Sequence, residues 1–133
     1  MVGKKIETSK RLAAQRQIHG AIEHFEDSEF ECAITLAAAG EGVLPATEKP
    51  HLFAKLKAWF AALPQQTEGE NNPNAVITWL KHPGGADTAT IDELEAIVAI
   101  TRAISKFAAV QTGVTQRMRT FLDWAEARQK SVG

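Results

Sequence analysis

Apolar side chains recur in this chain at three- and four-residue spacing, and no segment shows the strict alternation of a half-buried strand. Between Ser9 and Asp27, for example, such spacing forms one apolar stripe along a helix (Leu12, Ile18, Ala21, Ile22, Phe25). Alanine, the best helix former, is abundant, and tyrosine is absent. The sequence therefore predicts an all-α protein, an up-and-down helical bundle of five to six helices.

Turn and capping signals divide the chain into six predicted helices. A capping box at Ser28–Glu31 starts the second helix, and a second one at Thr90–Glu93 starts the fifth. Proline and glycine residues mark several of the helix ends. The predicted helices cover about 9–27, 28–43, 47–63, 75–81, 90–112 and 114–125. The first two helices, joined by a very short turn, are expected to form an antiparallel hairpin.

The length of 133 residues predicts one helical domain spanning 1–133. Residues 1–8 are expected to be disordered, and the polar stretches 64–74 and 83–90 to form exposed loops. Cys32 is the chain's one cysteine, which excludes an internal disulfide and a multi-cysteine zinc site. Neither a membrane-spanning run nor a signal peptide is recognisable, so a cytoplasmic protein without a membrane partner is expected.

Charge is unevenly distributed, although the net formal charge is only −1. Residues 1–19 and 102–133 each carry a net charge of +4, whereas residues 20–48 carry −7. The two basic ends could form one basic patch if they lie together. Alternatively, these are solvated faces whose basic side chains pair with the acidic residues of the first hairpin.

The second predicted helix carries small residues along one ridge, at Ala33, Ala37 and Gly40. Small side chains let a neighbouring backbone approach closely, so this helix is expected at the centre of the bundle. The same ridge is a candidate dimer face, as are the apolar faces of the third and sixth predicted helices. Glu41, on an otherwise apolar helix, is interpreted as lying at the exposed helix end rather than buried with a partner.

The segment from Asn74 to His82 is the favoured candidate for ligand binding. Trp79 offers a flat ring for stacking, and Lys81 and His82 offer donors for an anion. Arg117 and Arg119, in the basic C-terminal region, complete the predicted set. Alternatively, Trp79 and Leu80 anchor a short helix, while the basic residues complement its C-terminal dipole.

A metal site is the second chemical possibility. The pairs Glu23/Glu26 and Asp92/Glu95 share an acidic spacing with magnesium-dependent, all-α nucleotide pyrophosphatases. Both pairs also lie at helix ends, where acidic residues suit the helix dipole and solubility. Cys32 has acidic neighbours that would raise the pKa of its thiol, so it is not expected to be a nucleophile. No cofactor and no catalytic residue are predicted.

Two stretches resemble small α-proteobacterial proteins related to the HEPN helical superfamily (higher-eukaryote and prokaryote nucleotide-binding). The first pairs an A-I-x-x-F segment at residues 21–25 with an I-T-L-A-x-A run at residues 34–39. The second matches N-x-x-R-N-F-F-K-H through Asn74, Lys81 and His82, with Trp79 in an aromatic position. Ile77 and Thr78 replace the expected arginine and asparagine. The resemblance covers roughly the first four predicted helices.

The resemblance implies a helical bundle that forms homodimers. Many relatives are RNases or partners in toxin–antitoxin and defence systems. The active ones use an arginine followed four to six residues later by a histidine. Arg11 and Arg16 do not have that spacing to His19 or His24. The resemblance therefore implies a member that is not catalytic, and no catalytic residue is carried over from it.

Three functional hypotheses follow from the sequence. The leading one is a non-catalytic HEPN-like module that binds RNA, a nucleotide or a protein partner through the basic ends and the Asn74–His82 segment. The second is a metal-dependent nucleotide phosphohydrolase that uses Glu23, Glu26, Asp92 and Glu95. The third is a structural or accessory protein with no small ligand.

Overall fold

The computed structural model describes residues 3–46 and 73–132, and the predicted third helix lies outside these ranges. The described residues form five helices and no strand, which confirms the all-α helical bundle. The helices are α1 (Lys10–Glu26), α2 (Phe30–Gly42), α3 (Pro73–Lys81), α4 (Glu93–Gln111) and α5 (Gln116–Val132). Pro73 and Asn74, predicted to end a loop, belong instead to the first turn of α3.

The predicted hairpin of α1 and α2 is present, but its turn differs from the sequence prediction. Ser9 caps α1, because its Oγ accepts a hydrogen bond from the backbone N–H of Leu12 at 3.0 Å. The capping box predicted at Ser28 is wrong. Ser28 has a left-handed backbone with a φ of 61°, so it cannot act as an N-cap, which needs an extended backbone. Glu29 occupies the N-cap position of α2 and makes no side-chain capping bond.

The small-residue ridge of α2 packs against α1 within the same chain. Ala33, Ala37 and Gly40 are buried, and α2 approaches α1 so closely that a Cβ on Gly40 would lie 3.0 Å from a side-chain carbon of Ile18. The same Cβ would lie 3.2 Å from the carbonyl oxygen of Ala14. The ridge therefore holds the hairpin together and is not exposed for a dimer contact, contrary to one of the sequence predictions.

Replacing Gly40 by alanine is expected to leave the fold about 1 kcal/mol less stable than the matched Gly42→Ala variant, because the added methyl group overpacks this contact. Gly42, at the end of the same helix, is the matched control, since a Cβ there meets nothing within 4 Å. Gly42→Ala should leave stability unchanged or raise it slightly through helix propensity. Urea unfolding of both variants measures the difference. Equal stability of the two variants would contradict the close approach of α1 and α2.

The long helix α4 supplies the central part of the core. Its N-cap is Asp92, two residues later than the predicted Thr90, and the side chain of Asp92 accepts a hydrogen bond from the backbone N–H of Leu94 at 2.7 Å. Glu95 completes this capping box in place of the predicted one at residues 90–93. Thr112 ends the helix with a left-handed φ of 55°. The largest fully buried side chains of the core come from α1, α2, α4 and α5 (Ile18, Ile34, Ile100, Ile104, Met118).

Polar contacts join α2, α3 and α4 on one side of the bundle. The carboxylate of Glu41 accepts a hydrogen bond from Arg102 Nε at 2.9 Å, and the side chain of Glu41 is only 23% exposed. Lys106 donates to the backbone carbonyl of Glu41, also at 2.9 Å. The interpretation of Glu41 as a residue of an exposed helix end is therefore wrong. It is half-buried with a charged partner, as a carboxylate among apolar neighbours needs to be.

None of the helices in residues 3–46 and 73–132 is long and apolar enough to cross a bilayer.

Candidate functional site

The residues of the Asn74–His82 segment lie on α3 and just beyond its end. Trp79 is half-buried, and its ring N–H donates to the carbonyl of Ala86 at 2.7 Å, which fixes the loop after α3. The side-chain oxygen of Asn74 accepts a hydrogen bond from Arg102 on α4 at 3.2 Å. Lys81 and His82 are exposed. The side-chain oxygen of Asn74 and the ring N–H of Trp79 thus form hydrogen bonds within the fold.

The two predicted arginines lie elsewhere in the bundle. Arg117 and Arg119 belong to the first turn of α5, and in the described part of the chain α5 packs on α1 and α4 without contacting α3. The structure therefore does not bring the Asn74–His82 segment and these arginines into one site. Within α3, Val76 and Ile77 pack against the core, whereas Leu80, predicted as an anchor, is 38% exposed.

The four carboxylates of the metal hypothesis do not converge. Glu26 forms an ion pair with Arg117 at 3.1 Å. Asp92 and Glu95 form the capping box of α4, in which Glu95 is buried. Across residues 3–46 and 73–132, no group of three or more histidine, cysteine, aspartate or glutamate side chains is placed to hold a metal ion. The geometry gives the phosphohydrolase hypothesis no support.

Cys32 is half-buried in the first turn of α2. Burial, together with the nearby carboxylates Glu31 and Glu29, raises the pKa of its thiol. A thiol with a raised pKa is a poor nucleophile at neutral pH. The raised pKa agrees with the expectation that Cys32 is not a nucleophile.

A cleft of about 570 Å³ opens between the end of α1, the α1–α2 turn with the start of α2, the start of α4 and the first half of α5. We call it the aromatic cleft. Its apolar lining consists of five side chains (Ile22, Phe25, Phe30, Phe121, Trp124). Its polar lining consists of two carboxylates, two hydroxyls and one guanidinium (Glu26, Glu93, Ser28, Thr120, Arg117). The volume lies within the range of small-molecule sites.

The aromatic rings of the cleft form one packed cluster centred on Phe25. The ring centroids of Phe30, Phe121 and Trp124 lie 5.6, 5.6 and 5.5 Å from that of Phe25, in tilted and edge-to-face arrangements. Phe25 and Phe121 are buried, whereas Trp124 is 43% exposed. The buried rings therefore fix the position of Trp124, whose indole offers the cleft an accessible aromatic surface.

Two arginine–glutamate pairs stand beside these rings. Arg117 pairs with Glu26 at 3.1 Å, and the two side chains are 42% and 63% exposed. Arg128 pairs with Glu93, and its guanidinium carbon lies 5.6 Å from the centroid of the Trp124 ring. An exposed ion pair contributes only about 0–1 kcal/mol, so a competing anion can separate Arg117 from Glu26 at little cost.

Basic residues of the C-terminal region thus face carboxylates. Arg117 reaches Glu26 in the acidic segment 20–48, and Arg128 reaches Glu93 on α4. These pairs favour the interpretation of charged faces that pair with one another over that of a single basic patch. Among the residues predicted to bind a ligand, Arg117 lines the aromatic cleft. Among those predicted to bind a metal ion, Glu26 lines it.

His19 connects the middle of α1 to the beginning of α5. Its Nε2 lies 2.8 Å from the hydroxyl oxygen of Thr115, which also accepts a hydrogen bond from the backbone N–H of Met118 at 3.2 Å. Burial of the ring, followed by the positive charge of Arg117, lowers the pKa of His19 from its ordinary value of 6.5, and Glu23 offsets this in part. Nothing local in the sequence indicates that His19 contacts Thr115, which lies 96 residues away along the chain.

We expect the lowered pKa of His19 to make the fold less stable in mildly acidic solution. In the unfolded chain the imidazole of His19 takes up a proton near pH 6.5, whereas in the folded chain it does so only at lower pH. The contribution of His19 to the free energy of unfolding is therefore lost as the pH falls below about 6.5. Urea unfolding should show that the free energy of unfolding falls less between pH 7.5 and pH 5.5 for His19→Gln than for the wild type. The same loss in both proteins would show that His19 is not the responsible group.

Comparisons of the chain with protein-family profiles, with curated proteins and with solved structures found no match.

Proposed function

We propose that this chain is a non-catalytic, HEPN-like helical binding protein that holds a nucleotide in the aromatic cleft. The observation that carries the proposal is the juxtaposition of the accessible Trp124 ring and the Arg117 guanidinium in one cleft. A nucleotide combines a flat, stackable ring with an anionic phosphate. Stacking on aromatic side chains and hydrogen bonds from arginine to phosphate are the interactions that such a ligand uses in proteins.

The charges of the cleft favour a nucleotide over a long RNA. The charged side chains that line the cleft are two carboxylates and one guanidinium, a formal charge of −1, so the cleft does not attract a polyanion. Long RNA binds mainly through many phosphate contacts along a basic surface, whereas one phosphate needs only one well-placed guanidinium. Arg117 can supply that contact, because its pair with Glu26 is exposed to solvent.

The remaining parts of the proposal rest on the sequence. Its non-catalytic character follows from the Arg–His spacings, which differ from those of active HEPN proteins. A homodimer is implied by the resemblance, and its face is not the α2 ridge. The cytoplasm is the proposed location, since nucleotides are abundant there.

Isothermal titration of the purified protein with nucleotides tests this proposal. The probes are the four common ribonucleoside 5′-monophosphates, their 3′,5′-cyclic forms and a short single-stranded RNA. We expect saturable binding of at least one mononucleotide at a ratio of one per chain. Tight binding of the RNA alone would favour RNA over a nucleotide as the partner. Heat changes that stay at the level of dilution for every probe would favour the accessory-protein hypothesis.

A further inference from the structure

His19 contacts the beginning of α5, the helix that carries Arg117. It extends from α1 to the hydroxyl of Thr115, and the same hydroxyl caps the first turn of α5 through the N–H of Met118. Arg117, which lines the cleft, lies in that first turn. The half-buried imidazole of His19 therefore contacts Thr115, two residues before Arg117 along the chain.

Two charged groups act on the imidazole from the helices that pack around it. Arg117 on α5 disfavours the protonated ring, and Glu23, one turn further along α1, favours it. Partial burial of His19 strengthens both effects, because charges interact more strongly where solvent screens them less. Any group that neutralises Arg117 therefore makes protonation of His19 easier.

We propose that binding of an anionic ligand at Arg117 is coupled to uptake of a proton by His19, so that the cleft binds its ligand more tightly in mildly acidic solution. This inference rests on the proposed function, in which the phosphate of a nucleotide contacts Arg117. In the free protein Glu26 already neutralises part of the charge of Arg117. A phosphate that competes with Glu26 for Arg117 leaves the Glu26 carboxylate in the lining of the cleft, so the negative charge near Arg117 increases and favours imidazolium.

The coupling has a defined direction. Because linkage is reciprocal, a ligand that favours protonation of His19 is itself bound more tightly once His19 is protonated. The pKa of His19 is then higher in the ligand-bound protein than in the free protein. The affinity for the ligand should rise as the pH falls between these two pKa values. A modest coupling across one solvent-exposed arginine corresponds to an increase of about threefold in affinity.

The ligand for the test must not titrate in the same pH range. The second ionisation of a phosphate monoester has a pKa near 6, which would mimic the effect. A nucleoside 3′,5′-cyclic monophosphate avoids this, because its phosphodiester keeps a single negative charge. Titration calorimetry at pH 7.5, 6.5 and 5.5, repeated in buffers of different ionisation enthalpy, gives both the affinity and the number of protons taken up.

Three proteins are compared in this experiment: the wild type, His19→Gln and the control His82→Gln, whose histidine is exposed beyond α3. We expect the wild type and His82→Gln to bind about threefold more tightly at pH 5.5 than at pH 7.5, with proton uptake, and His19→Gln to lose this dependence. A flat profile in the wild type, or the same slope in His19→Gln, would overturn the coupling and leave nucleotide binding intact. Failure of the wild type to bind at any pH would overturn the proposed function as well.

A second measurement needs no variant at all. The ring protons of His19, followed by NMR as the pH is changed, report its pKa with and without the cyclic nucleotide. The coupling predicts that the ligand moves the titration of His19 to higher pH and leaves that of His82 in place. A ligand that saturates the protein without moving the titration of His19 would overturn the inference.

Discussion

Replacing Arg117 by alanine is expected to weaken nucleotide binding by about tenfold, because it removes a charge-assisted hydrogen bond to phosphate. The fold should tolerate this change, since the pair that Arg117 forms with Glu26 is exposed and adds little stability. Titration calorimetry of the variant measures the loss of affinity.

Arg119 provides the matched control for this prediction. It lies two residues further along α5, is exposed and does not line the aromatic cleft, so Arg119→Ala should change affinity by less than about twofold. Glu26→Gln should bind at least as tightly as the wild type, because it removes the carboxylate that competes for Arg117. Equal losses for Arg117→Ala and Arg119→Ala would indicate a diffuse basic surface instead of the cleft.

Replacing Ile100 by alanine is expected to reduce the free energy of unfolding by about 2–5 kcal/mol. Ile100 is fully buried in α4, and its truncation leaves a cavity in the core. The matched control is Leu80→Ala, since Leu80 is 38% exposed on α3 and its loss should cost less than about 1 kcal/mol. Urea unfolding measures both. Equal effects of the two truncations would contradict the central place of α4 in the core.

The five described helices were largely predictable, because apolar periodicity is a local property of the sequence. The residues at which these helices begin were less predictable. Serine at position 28 has the side chain of an N-cap but a left-handed backbone, which the tight turn between α1 and α2 imposes. Likewise, both Thr90 and Asp92 can cap a helix, and the fold uses Asp92. A capping motif shows that a residue can accept the hydrogen bond, not that its backbone is extended.

The aromatic cleft was not predictable, because three separate stretches of the chain, at 22–30, 93 and 117–124, supply its lining. Phe25, Phe121 and Trp124 look in sequence like ordinary members of apolar stripes, and only tertiary packing brings them together. Arg117 and Glu26 were both predicted as functional residues, but for different chemistry. The structure makes them partners of each other.

Glu41 and His19 show a second limit of sequence reasoning. The burial of Glu41 depends on Arg102, which lies 61 residues away along the chain. His19 meets Thr115 across 96 residues. The sequence contains both partners of each pair, but helical periodicity assigns a residue to a face and does not identify the side chain opposite it.

The most direct test of the central claim uses the indole N–H signals of the three tryptophans, assigned by substitution and followed by NMR during a nucleotide titration. Trp124 lies in the aromatic cleft, whereas the ring N–H of Trp79 is held by the carbonyl of Ala86 on another part of the bundle. If the nucleotide stacks in the cleft, the Trp124 signal should shift and saturate while the Trp79 signal stays in place. A shift of Trp79 with an unchanged Trp124 would contradict the account and return the ligand site to the Asn74–His82 segment.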